Sequence, residues 1–172
     1  MIKIYVDGSS RGNPGPGGSG VVVYDSIKKE VMYAFSQQYE HITNNQAELY
    51  ALLYAIKLAR STYGNEYCII YSDSAYCVNT CKSWIFNWAR NDWKNSKNKT
   101  VENLEIMKVL YRLLTVTEPN YDIQKIAGHS GEIGNELADA LATNDENKFE
   151  KILKENDVKY SLKYFLDNLK KI

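Results

Sequence analysis

The 172-residue sequence has few residues of the kinds that form disulfides or bind zinc: three cysteines and two histidines. Cys68, Cys77 and Cys81 contain no CxxC pair, and His41 and His129 lie far from them along the chain. These counts disfavour a disulfide framework and, more strongly, a zinc finger.

Long uncharged hydrophobic runs are also missing. The apolar stretches are as short as strands, such as residues 20–24, and the longer run 47–56 contains Glu48 near its start. No window approaches the roughly 18–20 apolar residues that a membrane span needs. A strand-like alternation begins at residue 2, so we expect no signal peptide, no membrane association and a location inside the cell, cytoplasmic or nuclear.

An excess of either charge is absent as well, because 21 Lys and Arg residues balance 21 Asp and Glu residues. The distribution is nevertheless uneven. Residues 82–99 carry a net +4 and residues 146–172 a net +2, which leaves about −6 for the rest of the chain. This contrast is expected where the basic residues bind phosphates and the acidic residues hold cations.

The length and a composition of 44% hydrophobic and 24% charged residues predict one globular domain. The predicted strands are 2–6, 20–26, 31–37, 67–71 and 121–127, and the predicted helices are 47–59, 75–81, 100–116 and 132–142. This order predicts an α/β fold with a five-stranded mixed sheet flanked by helices. We expect this domain to span residues 1–145. Residues 146–172 are expected to form a C-terminal helical extension that docks on it, self-associates or recruits a partner.

Residues 15–20 match the glycine pattern GxGxxG of dinucleotide-binding proteins. That pattern binds phosphate where it follows a strand and opens a helix. Here a strand pattern follows it and Pro16 lies inside it. We therefore interpret this run as a tight surface loop.

Four acidic residues occupy positions from which they can converge. Asp7 and Asp73 each end a predicted strand, whereas Glu48 and Asp139 lie in predicted helices. If the first and fourth strands are neighbours, Asp7 and Asp73 emerge at one edge of the sheet, where α/β folds place their sites. Converging carboxylates repel one another unless cations neutralise them, and Mg²⁺ prefers such oxygen ligands.

Each of these acids, taken alone, has a structural explanation. Asp7 precedes a glycine, as in a turn, and Glu48 is a favourable charge near a helix N-terminus. Asp73 is a good helix cap, and Asp139 can be a solvated residue on a helix face. The joint arrangement favours a metal site, and no single residue does.

Four sequence blocks, in order and spacing, resemble ribonuclease H of type 1: DGSSRGNPG at 7–15, TNNQAEL at 43–49, YSDS at 71–74 and GHSGEIGNELAD at 128–139. One block is moderately specific, but four in order are very specific. Residues 84–99, with all three tryptophans, resemble that family's basic protrusion. The resemblance implies the ribonuclease H-like fold. It also implies an endonuclease that cleaves the RNA strand of RNA/DNA hybrids, leaving 5′-phosphate and 3′-hydroxyl ends.

The resemblance further implies roles for individual residues. The catalytic acids, which would hold two Mg²⁺ ions replaceable by Mn²⁺, are Asp7, Glu48, Asp73 and Asp139. His129 corresponds to a mobile helper in proton transfer or product release. The positions that match hybrid-binding residues are Asn13, Asn44 and Asn45 for RNA 2′-hydroxyls, Thr43 and Asn103 for a DNA phosphate, Trp84 and Ser96 for the deoxyribose channel, and Lys94 for the backbone.

Three alternatives differ in what they require of the sequence. Resolvases and integrases of the same superfamily generally lack the block at 43–48 and the tryptophan-bearing basic segment. A catalytically silent hybrid-binding module is expected to have lost at least one of the four acids. The ribonuclease H domain of a reverse transcriptase would not begin with its own Met or continue beyond the domain as this chain does. We expect a monomer whose partner is an RNA/DNA hybrid.

Overall fold

A computed structural model describes residues 1–160. The strands of this part of the chain are β1 (Ile2–Ser10), β2 (Gly15–Asp25), β3 (Glu30–Ile42), β4 (Cys68–Ser72), β5 (Tyr121–Lys125) and β6 (Lys159–Tyr160). Its helices are α1 (Asn44–Ser61), α2 (Ala75–Asn79), α3 (Ile85–Arg90), α4 (Leu104–Leu114), α5 (Ile133–Ala142) and α6 (Glu146–Glu155). No helix within residues 1–160 is long and apolar enough to cross a membrane.

The strands form one mixed sheet in the order β5-β4-β1-β2-β3-β6. β1 is antiparallel to β2 and parallel to β4, with Val6 opposite Ser72. Asp7 and Asp73 directly follow this last pair, so they lie side by side just beyond the end of the β1–β4 pairing. The predicted α/β fold with a mixed sheet and flanking helices is confirmed. In the described residues, the two-residue β6 extends the predicted five strands to six.

The two faces of the sheet support cores of different size. Because side chains alternate along a strand, Ile4 and Val6 of β1 face the larger core, which includes the buried side of α1, whereas Tyr5 faces the smaller core with α5 and α6. α1 begins at a capping box, in which Thr43 Oγ1 accepts from the Gln46 backbone N–H and Gln46 Oε1 accepts from the Thr43 N–H. Helices thus pack on both faces of the sheet.

The prediction that residues 15–20 form a surface loop is wrong, because these residues belong to β2. A Cβ atom on Gly18 would lie 2.3 Å from the Ala142 carbonyl oxygen, and one on Gly20 would lie 2.2 Å from the Ala138 oxygen. Glycine therefore lets the α5 backbone lie directly on the sheet. The run opens no helix, in agreement with the prediction that it is not a dinucleotide-binding motif.

The helix predicted at 75–81 continues further than expected. After α2 the chain makes a π-helical turn, Thr80–Trp84, and proceeds directly into α3. This extension carries the tryptophan-bearing segment away from the sheet. The next helix is shorter than predicted, because α4 begins only at Leu104, after Asn103 in the left-handed region with φ 58°.

The described part of the C-terminal extension packs on the domain. Phe149, Ile152 and Leu153 of α6 are buried in the smaller core, and β6 pairs with the edge strand β3. The rest of the predicted extension, residues 161–172, lies outside the described residues. The division into a domain of residues 1–145 and an extension of 146–172 stays a prediction.

Candidate active site

Three carboxylates from three elements converge where β1 and β4 diverge. Asp7 lies within β1, which continues to Ser10, so the expectation that Asp7 ends the strand is wrong. Glu48 lies near the start of α1, and Asp73 directly follows β4. One carboxylate oxygen from each of these three residues lies within 4.8 Å of those of the other two.

The convergence is electrostatically unfavourable in the absence of cations. Burial, followed by the charge of Asp73, raises the pKa of Asp7, which is only 7% exposed. Burial and then the charge of Asp7 raise the pKa of Glu48. Burial also raises the pKa of Asp73, although the nearby His129 counters the shift. The fold therefore holds acidic groups in an environment that disfavours their charged forms.

The donor atoms of this cluster fit a divalent metal ion. Glu48 Oε2 is buried and accepts no hydrogen bond within the described part of the chain. A buried carboxylate oxygen without a donor is costly unless a cation or water meets it. Three clustered carboxylates suit a hard oxygen-binding ion such as Mg²⁺, which keeps several waters.

The fourth acid, Asp139, lines the same cavity of about 320 Å³ but has a different partner. Its Oδ2 accepts a hydrogen bond from Lys148 Nζ of α6 at 2.6 Å. The contact with Asp139 is the largest cause that raises the pKa of Lys148. The structure thus brings all four predicted acids to one cavity and pairs one of them with a lysine.

Sequence reasoning did not select four residues that line this cavity: Gly8, Asn135, Glu136 and Lys148. Asn135 and Glu136 precede Asp139 by four and three residues on α5, so helical spacing alone could have indicated them. Lys148 comes from a separate helix, and no periodicity links it to Asp139. Its position depends on how α6 packs against α5.

His129 also reaches the cavity, from the loop between β5 and α5. Its backbone φ is 53°, and Gly131 follows at φ 87°. Ser130 Oγ donates to the Ala127 carbonyl oxygen at 2.8 Å, which closes the loop locally. The loop also passes close to the acids, because a Cβ on Gly128 would lie 3.2 Å from Asp73 Oδ2.

The residues predicted to contact the hybrid beside the acids gather at the N-terminus of α1. Asn13 Oδ1 accepts a hydrogen bond from the Asn44 backbone N–H at 2.8 Å, and Asn44 and Asn45 are both exposed. Thr43 caps α1, and the Gln46 side chain of the same capping box donates to Asn103 Oδ1 at 3.2 Å. Gln46 therefore links Asn103 to the capping box at Thr43, and the assignment of Thr43 and Asn103 to a phosphate pocket stays a prediction.

The remaining predicted contacts lie on the basic protrusion, residues 84–99. Trp84, Lys94 and Ser96 line a single depression of about 580 Å³. The Trp84 side chain is 40% exposed, whereas Trp88 packs half-buried against the larger core. Trp84 is therefore accessible at the surface, whereas Trp88 contributes to packing.

The geometry agrees with the comparisons with known proteins. A profile of the RNase H family matches residues 1–147, most of the chain. The chain belongs to the ribonuclease H family. Among its relatives are Ribonuclease H of Orientia tsutsugamushi, 38% identical over 96% of this chain and 92% of the relative, and Ribonuclease H of Syntrophomonas wolfei, 42% identical over 83% and 94%.

Solved structures support the same assignment. The solution structure of the PFV RNase H domain is similar with a TM-score of 0.71 at 25% identity, covering 85% of this chain and 94% of that domain. LC11-RNase H1, solved in complex with an RNA/DNA hybrid, is similar with a TM-score of 0.61 at 26% identity, covering 86% and 98%. The resemblance found in the sequence blocks is confirmed. The chain is a member of a family of metal-dependent endoribonucleases, and its acidic cluster could hold a metal ion.

Proposed function

We propose that this ribonuclease H cleaves the RNA strand of RNA/DNA hybrids endonucleolytically, with two divalent ions, and leaves 5′-phosphate and 3′-hydroxyl ends. The observation that carries the proposal is the convergence of Asp7, Glu48 and Asp73 within 4.8 Å, in the cavity that Asp139 also lines. The solved complex of LC11-RNase H1 with an RNA/DNA hybrid supports the choice of substrate.

The four carboxylates would hold the two ions, with Mg²⁺ as the preferred ion and Mn²⁺ as a substitute. When bound, a pair of divalent ions lowers the pKa of the attacking water and stabilises the leaving oxygen. Asp73 directly follows β4 and belongs to the group of three clustered acids, so we assign it to the residues that would hold the ions. The raised pKa values of the acids have a role here, because a cation is needed to keep the carboxylates ionised together.

His129 would assist proton transfer or product release. Its ring lines the cavity, and its charge acts on Asp73, so it lies close to the reacting groups. The residue belongs to a short loop and not to a helix or strand. A loop position lets the side chain approach and leave the scissile phosphate within one turnover.

The hybrid would be bound on two surfaces. Asn13, Asn44 and Asn45 would read RNA 2′-hydroxyls beside the acids, since short polar side chains recognise this group. The DNA strand would meet a phosphate pocket and the depression on the basic protrusion, at Thr43, Asn103, Trp84, Lys94 and Ser96. Because the described residues of one chain supply all these groups, we propose that the protein acts as a monomer. We also propose that it acts inside the cell.

One assay tests the proposal directly. A labelled RNA/DNA hybrid is compared with the matching RNA/RNA, DNA/DNA and single-stranded substrates, with Mg²⁺ and with a chelator. We expect Mg²⁺-dependent cleavage of the hybrid alone, with products that carry 5′-phosphates. Hybrid binding without cleavage would instead support the catalytically silent module, and cleavage of duplex DNA would support a nuclease of the resolvase or integrase type.

A further inference from the structure

The contact between Lys148 and Asp139 has no place in the mechanism above. Lys148 Nζ lies 2.6 Å from Asp139 Oδ2, with the lysine side chain 41% exposed and the aspartate side chain 27% exposed. The family profile ends at residue 147, one residue before this lysine. The lysine therefore lies in the predicted C-terminal extension, although its side chain reaches the active-site cavity.

The backbone of Lys148 is held firmly in place. Asp145 Oδ1 accepts a hydrogen bond from the Lys148 N–H and so caps α6. Just beyond, Phe149, Ile152 and Leu153 are buried against α5 and the sheet. The fold thus fixes where the lysine side chain begins, while its four-carbon stem leaves the ammonium group free to swing.

The Lys148–Asp139 ion pair distinguishes Asp139 from the other three acids. Asp7, Glu48 and Asp73 form a compact group that can take one ion together. Asp139 lies outside this group, and Lys148 already supplies a positive charge to it. Within residues 1–160, this is the only ion pair under 4.0 Å that involves any of the four acids.

We propose that Lys148 is an internal counter-ion, which occupies Asp139 until a divalent ion displaces it. The inference rests on the proposed two-ion function. In this proposal the first ion binds to the group of three acids. The second ion binds on the side of Asp139 and must displace the Lys148 ammonium group. Lys148 thereby raises the concentration of divalent cation at which the site fills completely.

The expected effect is moderate. Partly exposed charge pairs stabilise proteins weakly, by an amount that corresponds to about a 1.5- to 5-fold change in an equilibrium constant. Removing the ammonium group should therefore tighten the weaker ion-binding step by about that factor. The stronger step, at the group of three acids, should change little.

The test is divalent-ion binding to the hybrid-free protein, measured by calorimetry with Mg²⁺ and by electron paramagnetic resonance with Mn²⁺. The variant is Lys148→Gln. The control is Lys154→Gln, which removes the same charge from the exposed end of α6, away from the cavity. We expect Lys148→Gln to tighten the weaker step, or to reveal it where the parent shows one step, and Lys154→Gln to leave binding unchanged.

A second measurement follows the lysine itself. In ¹³C-labelled protein, the Cε signal of Lys148, assigned by its loss in Lys148→Gln, should shift during the weaker binding step, while the Lys154 signal should not. In an Asp139→Asn background, Lys148→Gln should no longer alter ion binding, because the two residues act as one pair.

The outcomes separate this inference from the proposed function. If the parent protein binds neither Mg²⁺ nor Mn²⁺, the proposed two-ion function fails. If the parent binds ions but Lys148→Gln leaves every step unchanged, or weakens them, the counter-ion role is overturned and the proposed function is not. Circular dichroism and thermal unfolding of each variant check that α6 stays folded.

Discussion

The acidic site and the basic protrusion differ in how their charges are held. In the acidic site, carboxylates are drawn together within 4.8 Å, and Glu48 Oε2 is buried without a donor. On the protrusion, Lys94, Lys97 and Lys99 make no ion pair within residues 1–160, and the last two are exposed. The acidic site holds negative charges in a buried environment that disfavours them, whereas the protrusion exposes positive charges to solvent.

This difference predicts where single substitutions should matter. In a buried, crowded cluster each oxygen has a specific position, so removing one charge changes the chemistry abruptly. Exposed cations act through a sum of screened contacts, so removing one changes affinity gradually. We expect the acidic site to control turnover and the protrusion to control binding.

The sharpest test of this division is Asp73→Asn. Asparagine is nearly isosteric with aspartate and removes one charge from the repelling group, so the fold should persist. The rate of hybrid cleavage should fall by several orders of magnitude, because one of the carboxylates that would hold the proposed ions is lost. Single-turnover cleavage with Mg²⁺ measures the rate, and circular dichroism checks the fold. A rate near that of the parent enzyme would contradict the metal assignment.

His129→Ala should have the next largest effect. A positioned acid–base group contributes about 10²- to 10⁴-fold to a rate, and a helper in transfer or release lies at or below the lower end. We therefore expect kcat to fall about 10²-fold or less, with the Kd for the hybrid nearly unchanged. Steady-state kinetics and a binding assay measure the two quantities separately. Complete loss of turnover and unchanged turnover would both contradict the role of a helper.

On the protrusion, neutralising Lys94, Lys97 and Lys99 to glutamine should raise KM and leave kcat at saturating hybrid unchanged. Each phosphate contact that is lost reduces the slope of log affinity against log salt by about one, so the slope should fall by up to about three units. The local fold should survive, because the Lys97 and Lys99 backbone N–H groups donate to Asn95 Oδ1 and their side chains do not. Hybrid binding across a salt series, in an Asp73→Asn background, measures the slope.

Trp84→Ala is the uncharged counterpart of that triple variant. Loss of an aromatic contact weakens binding by about fivefold or more, but no counterion is released from the lost contact. The affinity should therefore fall at every salt concentration, with the slope unchanged. An unchanged affinity of the lysine variant at every salt concentration would remove the protrusion from the binding surface. A slope that falls with Trp84→Ala would contradict the assignment of Trp84 to an uncharged contact.

The sequence indicated the framework of the acidic site well, because its signals are local. A strand-like alternation from residue 2 predicted β1, and the helix predicted at 47–59 lies within α1. These predictions needed information from only a few neighbouring residues. The adjacency of β1 and β4 was only a condition at the level of the sequence, and the pairing of the two strands in the structure places Asp7 beside Asp73.

The features that the sequence did not reveal depend on packing between distant elements. Glycine is uncommon in strands, and the glycine-rich run at 15–20 therefore favours a loop when the sequence is considered alone. In the fold it is a strand because α5 lies so close that Gly18 and Gly20 have no space for a side chain. Lys148 was missed for the same reason, since only the docking of α6 brings it to Asp139.

The smallest expected effect concerns the stability of the metal-free protein, and it tests the origin of the contrast between the two regions. Because the pKa values of Asp7, Glu48 and Asp73 are raised in the folded state, that state binds more protons than the unfolded chain above about pH 4. The contribution of these groups to the free energy of unfolding must then fall as pH rises from about 4 towards neutrality. Each unit of net shift corresponds to about 1.4 kcal/mol.

Urea unfolding in a chelator, at pH 5 and pH 7.5, should therefore show that Asp73→Asn is stabilised relative to the parent protein, and more so at the higher pH. The control is Asp122→Asn, on β5, where hydrogen bonding from Gln124, followed by the charge of Lys82, lowers the pKa of the aspartate. A lowered pKa stabilises the folded state above about pH 4, so this substitution should destabilise the protein at pH 7.5. Equal signs for the two variants would mean that the acids of the cluster are not in electrostatic conflict. Changes of opposite sign in the free energy of unfolding would show that the clustered acids destabilise the metal-free fold, and that a bound cation can restore this stability. The exposed lysines of the protrusion require no such compensation.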